Sequence, residues 1–522
     1  MQKLPVDISS FAELRRLQYL YIDKTEYIYR MVTGGRRFFL SRPRRFGKSL
    51  LVSTLKELLA GHRELFEGLW IAQSDFPWEK HAVITLDFSM LLADNVETFR
   101  NRLQDELIRI AHNLNIFLEV KGNSPDIALK QLVYALHKEY GRVAILIDEY
   151  DSPIVRALDN PLLVTGIHNE IQHFFAIIKG LDAELQFVFI TGVSSFAKAG
   201  LFSGINNLRI ATLREEFAAI CGYTDSEVDV HFSDYIALWA NEEQISRTEL
   251  RANIRHWYNG YHFGHHVTSV YNPFSLMNAL ESKSFKNFWF ESGAPTFLIK
   301  QLRDQLRHHD YQMLIPEEII ASEESLGIFD IEKMPLTTLM FQTGYLTITD
   351  YEKKQRLYTL GYPNQEVKNA LQTYFLEVFA HLGRRDADTL PYLLYLALNK
   401  GDIEQAVDLL KQLFAHIPYQ LHIKEEKFYH ALLQIACSAA GIKAQSEYST
   451  SHGRIDLIME LPQCLYVAEI KFNSSASSAL EQIDERRYYE RFSSEQKPIT
   501  LLGLAFHRKP QEFTITYAVK QL

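Results

Sequence analysis

Two groups of residues in this chain have the types and spacing for chemistry on phosphate. Near the N-terminus, Arg42-Pro43-Arg44-Arg45-Phe46-Gly47-Lys48-Ser49 follows an apolar strand and opens a helix. At such a junction, backbone N–H groups and the positive end of the helix dipole favour an anion. Gly47-Lys48-Ser49 would put those amides around phosphate oxygens, with Lys48 at the β and γ phosphates of ATP and Ser49 on Mg²⁺. The usual pattern has a glycine where Arg42 stands, so the triplet by itself is a weak signal. Its companion is Ala144-Ile145-Leu146-Ile147-Asp148-Glu149, an apolar strand ending in two carboxylates. Asp148 would hold Mg²⁺ through water, and Glu149 would orient and deprotonate an attacking water.

The second group lies near the C-terminus, where Gly453-Arg454-Ile455-Asp456 precedes Ala468-Glu469-Ile470-Lys471 on the next strand. Strand alternation sends Glu469 and Lys471 to one face. Two carboxylates, Asp456 and Glu469, can hold Mg²⁺ or Mn²⁺, which polarises a phosphate and lowers the pKa of a bound water. Lys471 would stabilise the developing negative charge or orient that water. Charges on an edge strand can also serve only to discourage aggregation. Here, however, Glu469 and Lys471 interrupt an otherwise apolar strand, 465–472.

The elements around the first group alternate strand and helix, the pattern of a doubly wound α/β parallel sheet. Strands are expected at 37–40, 82–88, 143–147, 187–191 and 208–213, and helices at 50–60, 96–113, 125–139 and 168–181. From about 215 the pattern becomes mostly helical and aromatic. Around the second group the order is a helix at 427–440, strands at 444–448, 455–461 and 465–472, a helix at 478–491, and strands at 499–505 and 513–519.

The residues that carry a family resemblance are Tyr21-Ile22-Asp23-Lys24-Thr25, the Arg42–Ser49 run, Ile147-Asp148-Glu149-Tyr150-Asp151, Thr191-Gly192-Val193-Ser194 and Trp257-Tyr258-Asn259-Gly260-Tyr261. As a set they resemble the AAA-ATPase-like family of bacterial proteins over roughly 5–285, a family in which the arginine-rich loop is usual. The resemblance implies a P-loop NTPase fold, with Asp23 and Lys24 as candidates for contact with the base or ribose. Related ATPases place a polar residue that senses the γ phosphate at the end of the strand 187–191, a role open to Thr191 or Ser194, which could equally cap the loop. The segment 425–492 resembles the PD-(D/E)XK nuclease superfamily, which implies a small restriction-endonuclease-like α/β domain. There an acidic residue before the Asp completes the metal site. Glu447 is the choice, with Glu426 as alternative, and Gln482 and Tyr488 match the position of an added polar residue.

The expected organisation is a P-loop domain at 1–214, a helical lid at 215–366, a helical connector at 367–420 and a nuclease-like domain at 421–522. A chain of 522 residues is too long for one core. Its 47% hydrophobic and 23% charged residues are ordinary for a globular protein. Three scattered cysteines argue against a disulfide framework, and with no signal-peptide core or bilayer-length apolar run the protein is expected in the cytoplasm, off the membrane. The net charge of −9 gives no global pull toward nucleic acid, and 424–520 carries 12 Lys and Arg against 12 Asp and Glu, so a DNA or RNA contact must be local.

His262, His265 and His266 lack a nearby cysteine or paired carboxylate and read as packed or exposed imidazoles. Trp257, Tyr258, Tyr261 and Tyr271 read as a lid core, and Cys437 as core. Together the two sites suggest an ATPase that controls a metal-dependent nuclease. The alternative is a regulatory ATPase whose nuclease-like domain only binds nucleic acid or protein. Homo-oligomerisation stays open.

Overall fold

The computed structural model describes residues 1–119, 122, 124–195, 201–205, 207–265, 268–291, 319–327, 335–379, 383–415, 426–450, 453–492, 497–509 and 512–522. The described chain divides into two compact units, one drawn from Met1–Gln301 and Glu317–Glu366 and the other from Val367–Leu522.

The first unit is built on five parallel strands: β1 (Arg37–Ser41), β2 (Val83–Asp87), β3 (Val143–Asp148), β4 (Leu185–Gly192) and β5 (Arg209–Ile210). Their order across the sheet is β2-β3-β4-β1-β5. β1 and β3 are buried at every residue, as unbroken apolar runs are when helices cover both faces of a parallel sheet. Because β4 separates β1 from β3, the chain leaves β1 for the far edge and returns, and the carboxyl ends of β1, β4 and β3 meet at a topological switch point. The helix Val96–Asn113 has the expected bounds, while the helix expected at 168–181 already starts at Pro161. Pro161 fits a first helical position, and Asn160 caps it by accepting from the Leu163 amide. β5 is only two residues long, shorter than the expected 208–213.

The segment after 215 is largely helical and shares a core with the N-terminus. Leu20 and Ile22 pack with Val228, Phe232, Trp239 and Tyr258. It also contains β6 (Tyr261–His262) paired with β7 (Ser269–Val270), and an antiparallel sheet in the order β8-β10-β9, formed by β8 (Ile319–Ser322), β9 (Thr347–Glu352) and β10 (Leu357–Gly361). His265 stacks against Tyr351 and Tyr358, which agrees with a packed imidazole; His266 lies outside the described residues.

The second unit contains the helices Gln365–Phe379 (from Val367 on), Arg384–Lys400, Ile403–Ala415 and Glu426–Ala439. Its sheet follows, with β11 (Lys443–Thr450), β12 (Gly453–Glu460), β13 (Leu465–Phe472), β14 (Ile499–Lys509) and β15 (Glu512–Gln521) in sequential order. The helix expected at 478–491 is Ala476–Arg486, stopped where Arg487 turns left-handed with φ 48°. Cys437 is core, as expected: it is buried against Met459, and burial pushes its thiol up to about 12. Among the described residues, no helix is long and apolar enough to cross a membrane.

Candidate nucleotide site and nuclease-like site

The loop after β1 ends at Gly47, whose φ of 84° is left-handed and whose missing side chain leaves open space. The helix Lys48–Leu59 starts there and seats Leu51, Leu55 and Leu58 in the core. The Lys48 ammonium is buried and donates to the carbonyls of Arg42 and Pro43, each at 3.1 Å. Ser49 stands beside the Asp148 carboxylate at the end of β3 and favours its charged form. Burial pushes the Asp148 carboxyl up to about 6, against the opposing pull of Ser49 and the Lys48 charge. Glu149 follows in a left-handed conformation, φ 46°, and its amide donates to Asp148 at 2.9 Å.

Gly47, Lys48, Ser49 and Glu149 line one cleft of about 700 Å³, to which Arg44, Arg45 and Arg156 add positive charge. The open left-handed glycine, the helix start and the Ser49–Asp148 pair make a donor set that fits a nucleoside triphosphate with Mg²⁺.

The candidates taken from the family resemblance divide. Lys24 lines the cleft, but its ammonium is paired with Glu227 at 2.6 Å, and burial lowers its pKa against the pull of that carboxylate. Asp23 is not among the lining residues. Its carboxylate accepts from the amide and hydroxyl of Thr25, at 2.8 and 2.6 Å, and from the Trp70 amide at 2.6 Å, so it ties the start of the helix Thr25–Gly34 to Trp70. Thr191 and Ser194 are buried and also lie outside the lining. The Thr191 hydroxyl donates to the Leu40 carbonyl at 2.7 Å and ties β4 to β1.

Sequence reasoning missed the role of Asp151. This buried carboxylate accepts from the amides of Val193 and Ser194 and clamps the end of β4 to the segment after β3. The cluster Asp148-Glu149-Tyr150-Asp151 was the available signal.

In the second unit, β12 pairs antiparallel with β13 only from Leu457↔Ala468 to Glu460↔Leu465, whereas β13 pairs with β14 along its whole length. Asp456 and Glu469 are the first residues past the end of the β12–β13 pairing, where the strands part. The Ile470 amide bonds to the Asp456 carboxylate at 2.9 Å. His430, on the helix Glu426–Ala439, approaches the same carboxylate at 3.7 Å; no motif pointed to it. Glu469 is 1% exposed and accepts from Lys471 at 3.0 Å and from the Gln482 amide.

Gln482 reaches Glu469 because its helix lies directly on Gly503. A side chain there would strike the Ala476 carbonyl at 2.3 Å. Glu447 is flanked by the pairs Ser446↔Leu457 and Tyr448↔Ile455, so its backbone is across from Asp456; its side chain, like that of Glu426, lies outside the described ones. Tyr488 is buried in the core beside Ile483. Among the described residues no group of three or more His, Cys, Asp and Glu forms a metal cage. Two carboxylates still suit Mg²⁺, which takes few protein ligands and keeps its waters.

The sheet order, the lysine-bearing loop after β1 and the carboxylates ending β3 define a P-loop nucleoside triphosphatase fold. Residues 5–202 match the family described as "Predicted AAA-ATPase", and residues 424–514 match the PD-(D/E)XK nuclease superfamily. A relative from Azotobacter chroococcum mcd 1, described as an uncharacterized protein in the vnfD 5' region, is 33% identical over 525 residues, covering 97% of each chain. The protein belongs to this family, with an AAA-ATPase-like module followed by a PD-(D/E)XK nuclease superfamily domain.

Among solved structures, the Aeropyrum pernix ORC1 protein in complex with DNA is 11% identical, with 68% of this chain and 93% of that chain covered and a TM-score of 0.26. The A. pernix ORC2 protein (ADPNP-ADP complexes) is 13% identical, with 81% and 85% covered and a TM-score of 0.28.

Proposed function

We propose that the protein binds and hydrolyses ATP in its first unit, and that this controls Mg²⁺-dependent cleavage of DNA or RNA phosphodiester bonds by its second. The observation that carries the reading is that one chain holds two phosphate-type sites, each with a buried carboxylate beside a lysine: Asp148 with Lys48, and Glu469 with Lys471.

In the first, Lys48 and the amides at the start of its helix would bind the phosphates, Ser49 and Asp148 would hold the metal, and Glu149 would orient water and take its proton. In the second, Asp456 and Glu469 would hold a metal, with Glu447 as a further ligand, while Lys471 would offset charge developing on the phosphate. At both sites Mg²⁺, or Mn²⁺ at the second, would supply charge neutralisation and a more acidic water. Gln482 donates to Glu469, and His430 stands 3.7 Å from Asp456.

The test incubates the full-length protein with labelled single- and double-stranded DNA and RNA, Mg²⁺ or Mn²⁺, with and without ATP. Asp456→Ala, purified in parallel, is the control. Metal-dependent cleavage that responds to ATP and is absent from the variant is expected. Binding without cleavage would leave the second unit a recognition module, and equal cleavage by both preparations would mark a contaminant.

A further inference from the structure

The phosphate loop is gripped by the aromatic residues of the segment after 215. The Arg42 guanidinium sits over Phe263, the Phe46 ring meets Tyr261 edge-on at 4.8 Å, and Arg45 lies over Phe274. A fourth contact differs in kind. The indole N–H of Trp289 donates to the carbonyl of Arg44 at 3.1 Å, and the backbone N–H of the same residue donates to the Glu366 carboxylate at 2.8 Å. Trp289 is 5% exposed and Glu366 fully buried, so the bond between them is shielded from water, while the bond to Arg44 is partly buried. The indole is held further by Tyr345, 5.0 Å away between ring centres, and a side chain on Gly344 would strike Pro43. Glu366 lies in the first turn of the helix Gln365–Phe379, which carries the chain from the first unit into the second.

We infer that Trp289 is a positioning residue that reads the phosphate loop through the Arg44 carbonyl and passes its state to Glu366 at the start of the helix leading to the nuclease-like unit. The inference rests on the nucleotide reading above. The carbonyl of Arg44 and the amide of Arg45 belong to one planar trans peptide, so an indole holding the oxygen on one side fixes the N–H on the other. A phosphate that engages the loop amides must either accept that orientation or rotate the peptide, and rotation breaks the Trp289 bond. Trp289 bonds Arg44 through its side chain and Glu366 through its backbone, and because its ring is packed on Tyr345, a displacement of the residue as a whole moves both donors together. Burial makes the Glu366 bond costly to lose, which separates the two arrangements in energy.

The test uses the full-length protein and Trp289→Phe, which keeps an aromatic ring and removes the indole donor. Calorimetry gives the dissociation constants for ADP and a non-hydrolysable ATP analogue, and hydrogen–deuterium exchange is followed over 365–379. The wild type is expected to change its exchange in this helix on binding nucleotide. Trp289→Phe should bind within about tenfold of wild type, as expected for one hydrogen bond, yet lose the nucleotide-dependent change. Glu366→Met removes the acceptor from the other end with side-chain length roughly kept, and should lose the same change with affinity unaltered. Wild-type binding with no change at 365–379, or an unaltered change in both variants, overturns the relay and leaves the ATPase reading standing. Absence of any nucleotide binding by the wild type overturns both, and calorimetry alone shows it.

Discussion

The guanidinium of Arg42 lies 4.0 Å from the ring centre of Phe263, at the position where the common phosphate-loop pattern has glycine. It is 1% exposed, and its hydrogen bonds go to the carbonyls of Ser41, Thr212 and Phe217 instead of to a carboxylate. Burial lowers its pKa to about 10, so it remains charged at neutral pH. A desolvated cation over a ring recovers up to about 2 kcal/mol, and each carbonyl bond about 1 kcal/mol.

Arg42→Met should therefore destabilise the protein by about 2–4 kcal/mol, because three carbonyls lose their donor. Arg42→Lys should rescue it only in part, since one ammonium lacks the fork that spans Thr212 and Phe217. Urea denaturation midpoints measure both. A midpoint for Arg42→Met equal to wild type would mean that the desolvation of the cation cancels its bonds.

Lys48→Ala should weaken ATP binding. Glu149→Gln should retain binding and slow hydrolysis by orders of magnitude, because only a transition-state role is removed. Calorimetry and single-turnover hydrolysis separate the two effects. Wild-type turnover in Glu149→Gln would remove that residue from the chemistry.

The Asp148 carboxyl, pushed up to about 6 from 3.8, makes a pH prediction. Its folded pKa lies above the unfolded one, so the fold disfavours the charged form. The penalty is absent below the unfolded pKa, grows between 3.8 and about 6, and is complete above, where it amounts to about 3 kcal/mol. Asp148→Asn should thus raise the melting temperature of the nucleotide-free protein at pH 8, with the advantage shrinking as the pH falls to 5. Mg²⁺-dependent nucleotide binding by the wild type should weaken as protonation sets in below pH about 6. Melting curves across this range check the first claim, and a variant less stable than wild type at pH 8 would contradict it.

Asp456→Ala and Glu469→Ala should each abolish metal-dependent cleavage without reducing ATP turnover. Lys471→Ala should retain metal binding, read by Mn²⁺ calorimetry, while losing most activity through transition-state charge. Effects within the trio should be far from additive. Gly503→Val offers a contrast. It should displace the helix Ala476–Arg486 and cost stability as well as activity, so a fully folded, fully active Gly503→Val would show that the helix position does not matter to Glu469.

The sequence by itself determined what is local. Apolar runs buried on both faces announced β1 and β3, and Lys48 and Glu149, which follow them in the chain, do line one cleft. The strand Leu465–Phe472 and the helix Val96–Asn113 were legible to the residue, one from an apolar run and one from its 3.6 period. Tertiary structure decided where each polar group spends its hydrogen bonds. Asp23 turned to the Trp70 amide, Lys24 to Glu227 some 203 residues away, and Thr191 to Leu40. It also placed His430 beside Asp456 and buried Arg42 among carbonyls. A buried donor or charge takes whichever partner packing brings within about 3 Å, and that depends on how distant segments meet, which hydrophobic period does not encode.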